Sequence, residues 1–358
     1  MGGVETFEAR GLPEVASDQH AASADQAGAL DRLYAPVRPD LERLDDLLRA
    51  ELVEEDPFIG ELVAYVLATR GKLLRPALAC LAARAVGDAG HGQDRLYVAA
   101  TVELIHIASL IHDDIIDQAD RRRGNPSVNV QWGNQIAVLL GDLLFARAFD
   151  LISRVRHPAV APAVAEAAVR MSQAEIKQLK YSGEPHAREE VYLEIIEGKT
   201  AALLAAACRA GALAGGATAR QADALGAFGL RFGMAFQITD DTLDVAGAPE
   251  ALGKPIGSDI EGGRVTLPVI HALRSASEAD RAALERLLRA SVDGERRSGS
   301  GQHAALRAIL DRYGAIPYAL GLARQYAAAA GEALAALPPS DARESLRGLA
   351  EFVVVRGR

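Results

Sequence analysis

The chain has 358 residues, and its 39 lysines and arginines against 48 aspartates and glutamates give a formal net charge of −9. An acidic chain is a poor match for the nucleic-acid backbone, so we exclude nucleic acid as its partner. Hydrophobic residues make up 49% of the chain and aromatic residues only 5%, and alanine-rich stretches that favour helix over sheet recur throughout.

Residues 1–28 are small and polar without periodic order, so we expect a mobile N-terminal arm before a single domain at 29–358. From Leu30 onward, apolar residues recur at three- and four-residue spacing, in segments separated by Gly, Pro and Asp clusters. No strand-like alternation persists. The pattern predicts an all-α fold of about ten or more helices.

Cysteine usage and hydropathy predict a cytoplasmic protein without a transmembrane segment. Cys80 and Cys208 lie far apart in apolar helical runs, as expected of buried thiols in a reducing compartment. The N-terminus lacks the basic start and apolar core of a secretory signal. The most apolar window, 200–219, carries Arg209 at its centre and predicts a buried helix, not a membrane span.

The segment LIHDDIID places Asp113, Asp114 and Asp117 in an otherwise apolar helix. Spacings of three and four residues bring the three carboxylates to one end of one helical face. At about 5 Å and an effective dielectric near 20, each like-charge pair costs roughly 3 kcal/mol, so a cation is expected there. Mg²⁺ prefers such hard oxygen ligands. A solvated acidic face fits poorly because isoleucines flank the acids.

The segment FQITDDTLD repeats this design with Asp240, Asp241 and Asp244 after an apolar stretch. If both helices face one cavity, the six carboxylates can hold several Mg²⁺ ions that keep positions open for phosphate oxygens. The two motifs together predict a diphosphate site.

Basic residues stand in short motifs near the Gly, Pro and Asp clusters that separate the helical segments, and not along solvated helix faces. Guanidinium and ammonium groups clamp phosphates, so these motifs support a diphosphate ligand. The motifs RGKLLRP, DRRRGNP, EGKTAAL and GKPIGSD supply Lys72, Arg75, Arg121, Arg122, Arg123, Lys199, Thr200 and Lys254.

With these motifs in this order, residues 30–358 resemble the trans-isoprenyl diphosphate synthases, also called polyprenyl synthetases. The resemblance extends to GDLLFARAF, to ExxQ at Glu175 and Gln178, and to TLPVI. It implies an isoprenoid-synthase bundle around a central cavity and condensation of isopentenyl diphosphate with an allylic prenyl diphosphate. The chain departs from the family at Arg70, where glycine is usual, and at Arg264, where lysine is usual, and Arg264 is left out of the predicted site.

The resemblance also implies a role for each motif residue. Both acidic motifs together with Lys199 and Thr200 form the predicted catalytic set. About three Mg²⁺ ions per site are implied, held by Asp113, Asp114, Asp117, Asp240 and Asp244. Binding of the allylic diphosphate is implied for Arg122, Lys199, Thr200, Gln237 and Lys254. Binding of isopentenyl diphosphate is implied for Lys72, Arg75, His106 and Arg123.

Product length is expected to depend on the residues one turn before Asp113. One helical turn rises about 5.4 Å, close to the reach of one isoprene unit, so a bulky side chain there would plug the tunnel that holds the growing product. Ala108 and Ser109 stand there, and both are small. In the family this resembles medium- and long-chain synthases, such as heptaprenyl, octaprenyl or solanesyl diphosphate synthase, which make quinone side chains. We expect a hexaprenyl-to-decaprenyl product that Ala108→Phe shortens. A short-chain farnesyl or geranylgeranyl synthase is the alternative.

Three other interpretations concern assembly and activity. Family members pair through apolar helices, so we expect a homodimer, while a small dissimilar partner subunit stays open. A class I terpene cyclase needs one DDxxD and no isopentenyl clamp, so the second motif counts against it. A non-catalytic scaffold is expected to lose acids or clamps, and both are complete here.

Overall fold

The structure is a computed structural model that describes residues 28–88, 92–184, 188–246, 263–292 and 300–355. Within these ranges all regular secondary structure is helical except for one antiparallel hairpin of β1 (Arg121–Arg122) and β2 (Asn125–Pro126). The predicted all-α fold is therefore confirmed. The arm predicted at 1–28 lies outside the described residues except for Gly28, so it stays a prediction.

In the described part of the chain before residue 185, seven helices follow residue 37. They are α1 (Arg38–Glu51), α2 (Pro57–Ala68), α3 (Leu74–Ala85), α4 (Gly92–Ile116), α5 (Val128–Trp132), α6 (Asn134–Ser153) and α7 (Val160–Tyr181). A further helical stretch at 28–34 leads into a 3₁₀ turn at Ala35–Val37.

The helices after residue 187 are α8 (Glu189–Ile196), α9 (Ala202–Ala214), α10 (Ala219–Ala246), α11 (Leu267–Ser275), α12 (Glu278–Val292), α13 (Ser300–Arg312), α14 (Ala315–Ala333) and α15 (Asp341–Val353). A π-helical turn at Glu197–Ala201 joins α8 to α9, and a 3₁₀ turn at Leu334–Ala336 precedes α15.

Helices α3, α4, α9 and α10 form the centre of the bundle. Helix α4 packs along α6, while α9 packs against α3, α7 and α10, and α14 covers α10. Small side chains allow this close approach: a Cβ at Gly211 of α9 meets the carbonyl oxygen of Ala79 in α3 at 2.1 Å. The alanine-rich composition thus serves tight helix packing. Cys80 and Cys208 are buried free thiols in this core, as predicted.

Two smaller apolar clusters support the C-terminal half of α10. One joins the end of α10 to helices α11 through α14 around Val245. The other packs α8 and the π turn against α10, α11 and α14, with Ile196 and Ile238 among its members. The second acidic motif on α10 therefore lies between residues of these two apolar clusters.

Among the described residues, one helix is long and apolar enough to cross a bilayer. This helix is α4 (Gly92–Ile116), and 67% of its most apolar window is buried inside the fold. The apolar window predicted as a buried helix corresponds to α9, whose residues are buried almost throughout.

Candidate active site

The first acidic motif lies at the C-terminal end of α4. Asp113 and Asp114 belong to the last turn, and the Asp117 amide donates to the carbonyl of Asp113. The last carbonyls of a helix carry partial negative charge, which disfavours carboxylates there. These acids therefore need cationic partners, and the fold supplies one from a different segment to each of them.

Arg122 is the partner of Asp114. Its Nε donates to both carboxylate oxygens at 3.0 and 3.2 Å, and its Nη2 donates to Oδ1 at 2.5 Å. After α4 the chain turns at Gln118, where φ is +50°, and the Ala119 amide donates to the carbonyl of Asp114. The hairpin that follows therefore carries Arg122 next to the helix end. Asp114, predicted as a metal ligand, thus has both oxygens engaged by a guanidinium in this structure.

Lys199 on the π turn is the partner of Asp113. Its Nζ lies 2.5 Å from Glu175 Oε2 on α7 and 3.7 Å from Asp113 Oδ2. Burial raises the pKa of Asp113 to about 6, with Lys199 acting in the opposite direction. An ammonium shared between two carboxylates places positive charge where a diphosphate can displace one of them.

Two glycines bring the π turn close to its neighbours. A Cβ at Gly198 lies 2.7 Å from the Cβ of Ala174 on α7, and a Cβ at Gly233 of α10 lies 2.5 Å from the Cα of Ala201. Only glycine allows both contacts. π-Helical turns are rare overall but frequent at functional sites. This one packs against α7 and α10 and presents Lys199 to Glu175 and Asp113.

The second acidic motif is fixed by a chain of hydrogen bonds. Thr200 donates to Gln237 Oε1 at 2.7 Å, and Gln237 Nε2 donates to Asp241 Oδ1 at 2.7 Å. The hydroxyl of Tyr192 donates to the other oxygen of Asp241 at 2.6 Å. Asp241 and Asp244 are 6% and 7% exposed. The motif therefore lies beside the π turn that carries Lys199.

Asp117 forms an ion pair with Arg264, 147 residues later in the chain. Arg264 is absent from the predicted site because lysine is usual at its position, yet the structure places it next to an acid of the first motif. Without substrate, its planar guanidinium neutralises Asp117, the last acid of the first motif.

The residues predicted to bind isopentenyl diphosphate come from three segments: Lys72 and Arg75 at the start of α3, His106 on α4, and Arg123 in the hairpin. Burial lowers the pKa of Arg75 to about 10, and the carboxylates of Glu103 and Asp240 oppose that shift. Burial and the adjacent Arg75 hold the pKa of His106 well below its ordinary value, so its imidazole is neutral. Arg123 donates to the carbonyl of Thr69 at 2.9 Å.

Arg123 also explains the glycine before Lys72. A Cβ at Gly71 comes within 2.4 Å of Arg123 Nη2, so the loop that carries Lys72 passes directly under this guanidinium. Lys72 is exposed. The neighbouring Arg70, unusual for the family, forms an ion pair with Asp45 on α1.

The carboxylates suit Mg²⁺ by their chemistry, since hard oxygen donors are its usual protein ligands. Among the described residues no group of three Asp, Glu, His or Cys side chains forms a metal cage by itself. That arrangement fits an ion that takes only one or two carboxylates and completes its shell with water and substrate phosphates. Asp113, Asp117, Asp240 and Asp244 carry the carboxylate oxygens that such an ion takes as ligands.

Three predicted positions need separate mention. Lys254 lies outside the described residues, so its contact with a diphosphate stays a prediction. Ala108 has no exposed surface and is part of the main core, whereas Ser109 is partly exposed and donates to the carbonyl of His106 at 2.8 Å. Of this pair, Ser109 is the residue with exposed surface.

Glu175, Tyr192 and Arg264 contact predicted site residues but are absent from the predicted site. For Glu175 the sequence does carry a signal, because the ExxQ element is one of the motifs on which the family resemblance rests. Tyr192 gives no such signal, since a tyrosine in an apolar helix is usually part of the core. Its role follows from the contact with Asp241 alone.

A helical bundle with two opposed acidic motifs and basic clamps defines a class of enzymes that act on prenyl diphosphates. Residues 56–298 match the family model described as polyprenyl synthetase. The chain belongs to the polyprenyl synthetase family of prenyltransferases.

Curated relatives span several product classes. The chain is 42% identical over 329 residues to a short chain isoprenyl diphosphate synthase of Methanothermobacter thermautotrophicus, covering 89% of this chain and 97% of that one. An octaprenyl diphosphate synthase of Haemophilus influenzae is 35% identical, with 92% and 97% covered. Component 2 of a heptaprenyl diphosphate synthase of Geobacillus stearothermophilus is 38% identical, with 90% and 98% covered.

Among solved structures, a polyprenyl synthase of Caulobacter crescentus complexed with calcium and isoprenyl diphosphate is similar over nearly the whole chain. Its TM-score is 0.85 at 36% sequence identity, and the match covers 92% of this chain and 98% of that one. The similarity extends beyond the motifs to the complete bundle.

Proposed function

We propose that this enzyme condenses isopentenyl diphosphate with an allylic prenyl diphosphate to make a medium- or long-chain all-trans polyprenyl diphosphate. The observation that carries the proposal is the π turn, where Lys199 contacts Asp113 of the first motif and Thr200 reaches Asp241 of the second through Gln237. One turn thereby joins both acidic motifs into a single site.

The allylic diphosphate binds between the two motifs. Asp113, Asp117 and Asp240 are the proposed holders of Mg²⁺, with Asp244 beside them. When bound, Mg²⁺ supplies positive charge that stabilises the departing diphosphate. Lys199 leaves Glu175 or Asp113 to contact phosphate oxygens, and Arg264 leaves Asp117 in the same way.

The reaction breaks the C–O bond between the allylic carbon and its diphosphate and forms a C–C bond to the isopentenyl double bond. Negative charge increases on the leaving group in the transition state, so cations already in place lower the barrier. Lys199 and Arg122 are held in place before substrate arrives by Glu175 and Asp114. The released diphosphate is the proposed acceptor of the final proton.

Isopentenyl diphosphate binds to Lys72, Arg75, His106 and Arg123. Arg75 keeps its charge at neutral pH even with its pKa lowered to about 10. His106 binds as a neutral hydrogen-bonding group because its pKa is held so low. The positive charge of this subsite therefore comes from Arg75, Arg123 and Lys72.

Product length is proposed to depend on the space next to Ser109. The relatives include a short chain synthase and an octaprenyl synthase at similar coverage, so relatedness alone does not select one length. The small side chain and partial exposure of Ser109 support the longer product.

A homodimer is proposed because two outer helix faces are apolar and exposed. The exposed apolar side chains are Val138, Leu139 and Phe149 on α6 and Val169, Ile176 and Leu179 on α7. Exposed apolar faces of this kind mark interaction surfaces. Light scattering of the purified chain tests this: a mass of two chains is expected, and a monomer that gains activity only with a second, dissimilar chain contradicts it.

The activity is tested with the purified chain, Mg²⁺, labelled isopentenyl diphosphate and, separately, geranyl, farnesyl and geranylgeranyl diphosphates. A product ladder that ends at about six or more isoprene units is expected, because the small and partly exposed Ser109 stands one turn before Asp113. A ladder that stops at three or four units keeps the reaction and contradicts the length. No product with any primer contradicts the reaction itself.

A further inference from the structure

Tyr192 forms a buried hydrogen bond to the second acidic motif. Its hydroxyl donates to Asp241 Oδ2 at 2.6 Å, and both side chains are 6% exposed. An O–H donor to an ionised oxygen at this distance is in the range of charge-assisted hydrogen bonds, which are about twice as strong as neutral ones. The bond joins α8 to α10 across 49 residues of chain.

The same carboxylate is held from its other side. Gln237 donates to Asp241 Oδ1 at 2.7 Å and accepts from the hydroxyl of Thr200. Both oxygens of Asp241 thus accept protein hydrogen bonds, which fixes the rotamer of this side chain. Asp241 is therefore an anchor for the segment of α10 that also carries Asp240 and Asp244.

The two residues whose hydroxyls form these hydrogen bonds, Tyr192 and Thr200, stand on either side of Lys199 in the chain. Tyr192 precedes the π turn by one helical turn of α8, and Thr200 follows Lys199 directly. The segment that carries Lys199 is therefore bonded to α10 before and after the lysine. Losing either bond removes one of the polar contacts that fix this segment against α10.

We propose that Tyr192 is a positioning residue, which fixes Asp241 and thereby holds Asp240, Asp244 and Lys199 in one geometry. This inference rests on the proposed function, because it gives these residues the task of binding metal and diphosphate. Tyr192 does not touch the reacting atoms. Its effect is expected on metal affinity and turnover, and not on the KM for isopentenyl diphosphate.

Tyr192→Phe tests this, because it removes one hydroxyl and keeps the ring in its apolar cluster. The matched control is Tyr318→Phe, whose hydroxyl donates to Glu189 at 2.8 Å on the protein surface. We measure the melting temperature, the binding of Mn²⁺ by electron paramagnetic resonance with inorganic diphosphate present, and the steady-state constants with Mg²⁺.

For Tyr192→Phe we expect Mn²⁺ affinity and kcat each to fall about tenfold, since losing a hydrogen bond to a charged group corresponds to about that factor. The KM for isopentenyl diphosphate is expected to stay within about twofold, and Tyr318→Phe is expected to match the wild type. Unchanged Mn²⁺ affinity overturns the proposal, including when only the melting temperature falls. A wild-type chain without activity refutes the proposed function, while the Mn²⁺ comparison still decides the role of Tyr192.

Discussion

Arg122 donates three hydrogen bonds to Asp114 across eight residues, at 2.5, 3.0 and 3.2 Å. The pair fixes the hairpin after α4 against the end of that helix. It also holds the guanidinium at the edge of the acidic site, where reorganisation on substrate binding is small. An arrangement made before substrate arrives is what electrostatic stabilisation of a transition state requires.

Arg122→Lys is expected to lower kcat/KM for the allylic substrate about thirtyfold. Lysine keeps the charge but loses the forked donor geometry, and a hydrogen bond to a charged group contributes about 2 kcal/mol. Steady-state kinetics with varied allylic diphosphate measure the effect. The control is Arg121→Lys, an exposed neighbour that donates only to the Gly124 carbonyl among the described residues. Equal kinetics for both variants contradict this role of Arg122.

Gly198→Ala is expected to lower both stability and activity. The new Cβ lies 2.7 Å from the Cβ of Ala174 and 3.0 Å from the carbonyl of Arg170, and such overpacking costs about 1–3 kcal/mol. The displaced π turn moves Lys199 away from Asp113, so kcat falls beyond the loss of folded protein.

Gly60→Ala is the matched control for that substitution. Gly60 lies inside α2 with nothing within 4 Å of an added Cβ, so alanine there is expected to stabilise the helix by up to about 1 kcal/mol. Urea denaturation and activity per folded molecule separate the two effects. A Gly198→Ala variant that behaves like Gly60→Ala refutes the close packing of the π turn.

Ser109→Phe is expected to shorten the product, because the ring extends into the space next to a partly exposed position. Ala108→Phe is expected to cost about 1–3 kcal/mol of stability, because Ala108 has no exposed surface and lies in the main core. Chromatography of the products and thermal melting distinguish the two variants. A shortened product from Ala108→Phe at full stability shows that the tunnel wall includes this residue.

Asp40→Asn is expected to destabilise the fold by about 3 kcal/mol, since removing one partner leaves buried charge uncompensated. Asp40 is 1% exposed and accepts from Arg84 and Arg95, each at 2.7 Å. Burial acts to raise the pKa of Asp40, but these hydrogen bonds outweigh it and hold the pKa below its ordinary value.

This pKa shift fixes the pH dependence of the contribution. Because the folded pKa is the lower one, the stabilisation is present at neutral pH and is lost as pH falls below about 4. Urea midpoints of wild type and Asp40→Asn are therefore expected to converge in acid. The exposed Asp311→Asn, which loses only a surface pair with Arg307, is expected to change stability by under about 1 kcal/mol. A constant difference between wild type and Asp40→Asn at all pH values contradicts the assignment.

Local spacing accounts for what the sequence analysis predicted. Three- and four-residue periodicity is a property of the helix itself, so the all-α fold and the placement of Asp113, Asp114 and Asp117 on one helix end follow without tertiary knowledge. The pairing of Arg122 with Asp114 is also close in sequence, but it was not predicted, because the motifs assigned Arg122 to the diphosphate and Asp114 to Mg²⁺.

Long-range contacts account for what it missed. Arg264 reaches Asp117 over 147 residues and Tyr192 reaches Asp241 over 49, and neither distance leaves a periodic signal. The full burial of Ala108 depends on which helices cover α4. Such facts require the packed structure, because side-chain partners are chosen by tertiary neighbours.

The central claim is that both acidic motifs belong to one site that ionises an allylic diphosphate. Its most direct test is the rate of isopentenyl incorporation by Asp113→Asn, Asp240→Asn and the double variant. We predict that each single variant loses on the order of a hundredfold or more in kcat, and that the double variant loses far less than the product of both, since residues of one unit act non-additively. A double variant whose loss equals that product, or a single variant with wild-type rate, contradicts the claim.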